Sequence, residues 1–300
     1  MTFRYGPDVR IHINAPSVRD FDPKKPVELV LYALPNTNSI EQTAGKTVVE
    51  GDDWHFRIQN IAAQTRWLRE RNTRTNLVVA YLETDRKSWP SWNSDLSDRP
   101  ERIRAIADSV THIFGAYHTH VVLSGHSGGG SFIFGLIDSR PEIPDYIECI
   151  AFLDSDYGYT DERGSKIAGW LKSSRRHHLS VIAYNDSIAL YQGKPFVSPT
   201  GGTWYRTKMM CRCLADRFRM NKRPEGHLTR YRALGGRISV ELMDNPARAI
   251  LHTVQVEKNG FIHTMLTGTD LEEKGYMYYG DRVYDTLQAE MMPDLMETAV

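Results

Sequence analysis

The chain has 300 residues, more than a small stapled scaffold needs and enough for one large domain or two modest ones. Apolar residues make up 41% and charged residues 25%, with six Trp, fifteen Tyr and ten Phe for a core, which argues against a disordered chain. Lys plus Arg equal Asp plus Glu at 37 each, and no run approaches the roughly 18 apolar residues of a membrane span, so neither a nucleic acid nor a membrane is an expected partner.

Apolar runs of strand length alternate with stretches of helical period. The first expected strand is residues 9–13, the second 27–34, stopped by Pro35-Asn36. A helical pattern covers about 53–71, with Ile58, Ile61, Ala62, Thr65 and Leu68 on one face. Residues 76–82 form the next strand, followed by a polar, Trp-containing loop to about residue 97 and a helix over about 99–114 with Pro100 in its first turn. Residues 120–124 are a strand that runs straight into Gly125-His126-Ser127-Gly128-Gly129-Gly130, then into an apolar helical stretch over 131–137. Further strands are expected at 147–153, ending at Asp154-Ser155-Asp156, at 179–184, ending at Asn185-Asp186, and at about 249–256, with a helix near 162–174. Residues 187–248 are long for a simple connection and are expected to hold an insertion or cap over the active face. No composition break marks a second domain, so one domain over 1–300 is expected.

Three cysteines exclude a disulfide framework, since one must be left over. Cys149 lies in an apolar run as a small hydrophobe, and Cys211 and Cys213 point different ways from one helix. Met1–Asp8 contains no apolar signal core, so the expectation is a cytoplasmic protein, or a secreted or periplasmic one whose signal peptide has been replaced by Met.

Gly125-His126-Ser127-Gly128-Gly129 matches G-x-S-x-G. A random chain of this length would carry that string about one time in ten, so its context decides: a Val-Val-Leu strand directly before and an apolar helix directly after. The motif needs small residues two before and two after the Ser, so that the chain reverses tightly and the hydroxyl projects from the sheet edge. No Lys-Ser/Thr follows, and the glycines do not give G-x-G-x-x-G, so a phosphate loop does not fit. His118 and His120 lack the partner residues of a metal site and read as a turn before a strand.

A Ser hydroxyl needs a base and a group that orients the base. His263, after the Gly260 turn and close to the C-terminus, is the favoured base. His177, His178, His227 and His252 are rivals, with His252 read as part of an apolar strand. Asp186, directly after a strand, is the favoured acid, with Asp154 and Asp156 as rivals and a turn cap as the bland role of all three.

At Ser127, Asp186 and His263, and in its strand succession, the sequence resembles the α/β-hydrolase superfamily, in which the chain order is Ser, acid, His. The resemblance spans most of the chain. It implies an α/β fold with a mostly parallel central sheet of about eight strands, helices on both faces, and a site at the strand C-terminal ends. It also implies an acyl-enzyme, with no metal and no organic cofactor. The oxyanion donors it implies are the N–H of Gly128 and a group from the loop after the second strand, Asn36 or Thr37, although no His-Gly precedes that loop. Trp89 and Trp92 on one loop, and Trp204 and Arg206 on another, are candidate substrate contacts; packing and ordinary surface roles compete with that reading. These loops are polar and aromatic, which favours a polar or aromatic ester, small or polymer-derived, over a lipid. A peptidase or amidase and a non-catalytic binding protein remain the alternatives. Oligomeric state is not legible.

Overall fold

Val27–Ala33 is a run in which every second side chain enters a different core. Leu29, Leu31 and Ala33 join one apolar cluster, while Val30 and Tyr32 join another on the opposite face. A strand covered on both faces has no polar side to show, which is why it reads as a nearly unbroken apolar run. A computed structural model describes residues 1–94 and 97–288 of the chain. In it this strand, β3, lies near the middle of a ten-stranded sheet.

The other strands are β1 (Thr2–Tyr5), β2 (Val9–Asn14), β4 (Asn76–Thr84), β5 (Thr119–His126), β6 (Ile147–Leu153) and β7 (His178–Tyr184). After a two-stranded hairpin, β8 (Leu190–Tyr191) and β9 (Lys194–Pro195), come β10 (Asn221–Glu225), β11 (Leu228–Ala233) and β12 (Ile238–Met243). The order across the main sheet is β1-β2-β4-β3-β5-β6-β7-β12-β11-β10. The six strands from β4 to β12 run parallel; β2 pairs antiparallel with β1 and β4, and β11 with β10 and β12.

Helices α3 (Trp89–Ser94), α4 (Arg99–Ile113), α5 (Gly130–Asp138), α6 (Asp161–Ser173) and α7 (Thr203–Ala215) contribute to one face. Helices α1 (Ile40–Ala44), α2 (Ile61–Arg71) and α8 (Phe261–Leu266), with Tyr276, Tyr278 and Tyr284, cover the other. The fold class expected from the sequence is therefore the one observed, with two strands more than expected.

Three expectations need correction. The helical pattern over 53–71 is broken at Asn60, whose left-handed backbone (φ +49°) separates a short turn at Trp54–Arg57 from α2. The polar loop after β4 contains helix α3. Residues 249–256 form no strand. The last parallel strand is β12, and both of its edges are taken, by β7 and by β11. After it, Asn245 and Arg248 take positive φ, and the Asn245 side chain bonds the backbone N–H and C=O of Ala249, so the chain turns instead of extending. Residues 187–248, read as a possible insertion or cap, supply the hairpin, α7 and three strands of the main sheet.

Candidate active site

β5 and α5 meet at Ser127, a non-glycine residue with a left-handed backbone (φ +55°). L side chains rarely adopt that conformation, and it persists only where the surroundings enforce it. Here the turn is jammed against the end of β3. A Cβ on Gly129 would stand 2.2 Å from the carbonyl oxygen of Ala33, and one on Gly128 would stand 2.0 Å from Oδ1 of Asn36. Glycine at both places lets the turn approach β3 and the loop after it. The Gly128 N–H lies at the start of a helical segment, where the first donors have no intrahelical partner and the helix dipole favours negative charge.

The loop after β3 carries the two residues expected to supply a second oxyanion donor, and the structure separates them. Asn36 lines both cavities that adjoin Ser127, with its side chain against Gly128. The Thr37 N–H is taken by the carbonyl of Lys87 at 2.7 Å, and its hydroxyl donates to the Asn36 carbonyl. Thr37 is therefore not available to a developing oxyanion.

The structure does not pair His263 with Asp186. His263 is fully buried in α8, with Nε2 3.1 Å from Glu241 and Nδ1 3.3 Å from the Tyr276 hydroxyl. Neither His263 nor Glu241 lines a cavity with Ser127. Asp186 accepts the Thr203 N–H at 2.8 Å, capping the start of α7. Burial, and then the neighbouring Asp154, raise its carboxyl to about 6.

The histidine and carboxylate that the structure brings together beside Ser127 are His252 and Asp154. Asp154 is the first residue after β6, fully buried, with φ +48° and its N–H anchored to the Ile182 carbonyl. Its Oδ2 lies 2.5 Å from Nδ1 of His252, and its Oδ1 accepts the Thr203 hydroxyl. His252 and Ser127 line one cavity. His126, the second residue of the motif, holds the loop that carries His252: its Nε2 is 3.0 Å from the His252 carbonyl, and the two rings lie 4.3 Å apart, centroid to centroid. Burial, reinforced by His252, lowers His126 well below the ordinary histidine range, so it is neutral and donates from Nε2. Asp156, the other rival acid, points to α7, where its Oδ2 accepts from the Thr207 hydroxyl at 2.8 Å.

The aromatic candidates belong to the core. Trp89 and Trp92 are 1% and 2% exposed and pack against each other, with Trp89 also against Phe132; their indole N–H groups donate to the Leu82 carbonyl and to Asp8. Trp204 packs on the same core from α7, with Lys208 over its ring, and Arg206 donates to the Tyr159 carbonyl. None of the four lines a cavity with Ser127. The sequence reading had missed Trp54, His55, Gln59 and Asn38, which do line one.

Among the described residues, Glu241, His263 and Glu272 bring potential metal-ligand atoms within 4.8 Å of one another. Arg232 already bonds both carboxylates, at 2.5 and 3.0 Å, and Arg230 approaches Glu241 at 3.7 Å. The arginines supply the positive charge there, and the group reads as a buried ion network.

No protein-family model and no curated protein matches the sequence. The structure is similar to a thermostable esterase, with a TM-score of 0.52 at 12% identity, over 89% of this chain and 62% of that one. The chain thus spans less than two thirds of that esterase. A siderophore hydrolase, EstB from Aspergillus nidulans, matches with a TM-score of 0.45 at 10% identity, over 87% of this chain and 90% of that one. At 12% identity the likeness to the thermostable esterase is one of fold alone.

Proposed function

We propose that the protein is a serine hydrolase that cleaves a carboxylic ester through an acyl-enzyme on Ser127, with His252 as base and Asp154 as the acid that orients it. One observation carries this reading: a buried carboxylate holds Nδ1 of a histidine in the cavity lined by a strained serine at the end of a parallel strand. With its Nδ1 proton donated to Asp154, neutral His252 keeps the lone pair on Nε2. Nε2 accepts the Ser127 proton as Oγ attacks the carbonyl carbon, and Asp154 stabilises the imidazolium. The negative charge that develops on the carbonyl oxygen meets the Gly128 N–H and a donor of Asn36. His252 then protonates the departing alcohol as the carbon–oxygen bond breaks. Water, activated by the same imidazole, releases the acid from Ser127. The larger cavity mixes polar side chains, among them Asn93, Ser131 and Ser155, with Pro90, Pro100, Phe134 and Tyr157, a lining suited to a substrate with both polar and aromatic parts.

The test is kcat/KM on an activated aryl ester for Asp154→Asn, Asp186→Asn, His252→Asn and His263→Asn, each checked for folding by circular dichroism. Asp154→Asn and His252→Asn are expected to lose about 10³- to 10⁴-fold. Asp186→Asn is expected to stay within about tenfold, because an amide oxygen still accepts the Thr203 N–H. The reverse ranking, with Asp186 and His263 essential, would sink the assignment.

A further inference from the structure

Ser127 stands at the C-terminal ends of the parallel strands. A separate cavity, of about 470 Å³, lies at their other ends. It is lined from the starts of β3, β5, β6 and β7 and closed by the end of α8 and the segment after it. His120, in its lining, and Ser127 stand at opposite ends of β5, so a group bound here is about 20 Å from Ser127. We propose that this cavity binds an organic carboxylate, with its acid group held by Arg175 and Arg237 and its apolar body laid on Cys149, Met265 and Leu271. The proposal does not rest on the chemistry of Ser127.

The guanidinium groups that line the cavity are of two kinds. Arg74 is paired with Asp270 at 2.7 Å, and Arg176 with Asp145 at 2.7 Å and Glu148 at 3.2 Å; His120 also meets Glu148, at 2.9 Å. Arg175 and Arg237 have no carboxylate partner among the described residues. They are close enough to oppose each other: burial, and then Arg175, lower the Arg237 guanidinium from its ordinary range. The remaining carboxyl of the lining, Glu28, accepts the Thr75 hydroxyl at 3.0 Å, and burial raises it from the ordinary carboxylate range. The lining therefore carries a surplus of positive charge, which a carboxylate between the two arginines relieves.

Arg237 is held in position to do this. Its Nη1 donates to the carbonyls of Leu171, Ser174 and His177, each at 3.0 Å. That fixes the side chain and leaves Nε and Nη2 without a protein partner among the described residues. These two nitrogens share one edge of the guanidinium, and such an edge grips a carboxylate with two parallel hydrogen bonds. Neither nitrogen is sealed in the core; Arg237 is half-buried and Arg175 exposed. The apolar part of the lining is accessible too. Cys149, Met265 and Leu271 are half-buried, packed on the core at one side and lining the cavity at the other. Cationic and apolar surface side by side, in a cavity of small-molecule size, suits an acid group on an apolar body.

The test is isothermal titration calorimetry with octanoate, 1-octanol and inorganic phosphate. It uses the wild-type protein, Arg175→Gln, Arg175→Lys and Leu271→Asp, each checked for folding by circular dichroism. Arg175 and Leu271 lie in connections outside helices and strands, so these variants are expected to fold. Octanoate is expected to bind the wild type at least about fivefold more tightly than octanol or phosphate, because it alone meets both the arginines and the apolar side chains. Arg175→Gln and Leu271→Asp are each expected to weaken octanoate at least about fivefold, and Arg175→Lys, which keeps the charge, to weaken it less than Arg175→Gln. No octanoate binding by the wild type overturns the proposal. So does binding that Arg175→Gln or Leu271→Asp leaves unchanged, as for a carboxylate held beside Ser127 instead. Octanol or phosphate bound as tightly as octanoate overturns it as well.

Discussion

Ser127 is held at φ +55° by neighbours that leave no room to relax, and the residue after it has no room for a side chain. This makes Gly128 a sharp probe of the site. Gly128→Ala would drive a methyl into the Asn36 amide, so, with Asn36 as the proposed second oxyanion donor, it is expected to displace that amide and lower kcat about 10²-fold or more. Asn36→Ala removes the same donor without a clash and is expected to cost a similar factor, with KM little changed; steady-state kinetics on an aryl ester checks both. At this scale the sequence was legible where geometry is local. The tight turn at Ser127 and Gly128 and its neighbour Asn36 follow from a five-residue motif and the loop after one strand. The contact between His252 and Asp154 was not, because it is set by long-range geometry. His252 sits among Ile250, Leu251, Val254 and Val256, whose pattern reads as a strand. Asp154 and Asp186 both follow strands and differ only in which one the histidine loop reaches. That loop is fixed by Asn245 and by the His126 bond, neither of which has a signature in sequence.

The elements around the site pack three carboxyls into one small volume. Asp154, Asp156 and Asp186 are all buried at the ends of β6 and β7, facing the first turns of α7 through Thr203 and Thr207. Asp156 bears the largest consequence: burial, with Asp154 and Asp186 nearby, raises its carboxyl to about 8. A carboxyl whose pKa is higher in the folded than in the unfolded chain favours folding fully below its ordinary value near 4. That contribution is lost as pH rises through 8. Asp156→Asn removes the titration while keeping an acceptor for the Thr207 hydroxyl. Its melting temperature is expected to exceed that of the wild type at pH 8 and to converge on it near pH 4, which differential scanning calorimetry would check. The elements themselves were legible where they are buried on both faces, as in β3, β4, β5, β6 and β7. β12 lies inside 187–248, the stretch expected to hold an insertion or cap. β10, Asn221–Glu225, is exposed, charged and carries Pro224, so it has no strand pattern to read.

Across the whole molecule, the ion network at Glu241 ties residues distant in sequence. β11 contributes Arg230 and Arg232, β12 contributes Glu241, α8 contributes His263, and Glu272 and Glu273 come from the segment beyond it. Burial alone would raise the Glu241 carboxyl, but the His263 hydrogen bond and the charges of His263, Arg232 and Arg230 outweigh it and hold the group at about 2. A carboxyl lowered on folding contributes stability above its unfolded value, near 4.5, and that stability is lost as pH falls toward 2. Urea midpoints are therefore expected to drop between pH 4.5 and pH 2.5. Glu241→Gln, which leaves Arg232 and His263 without their buried partner, is expected to lower the midpoint at pH 7 and flatten this acid limb. The charge balance of the chain, 37 against 37, gives no hint of such a network, because pairing depends on which strands become neighbours. No helix among the described residues is long and apolar enough to cross a membrane.

The central claim is that Ser127 is a nucleophile activated by His252. It is tested most directly by the rate of fluorophosphonate labelling, followed by intact mass, on the wild type, Ser127→Ala, His252→Asn and His263→Asn. One adduct is expected on the wild type, none on Ser127→Ala, labelling slowed by orders of magnitude in His252→Asn, and near wild-type labelling in folded His263→Asn. Undiminished labelling of Ser127→Ala, or a His252→Asn variant labelled as fast as the wild type, would contradict it.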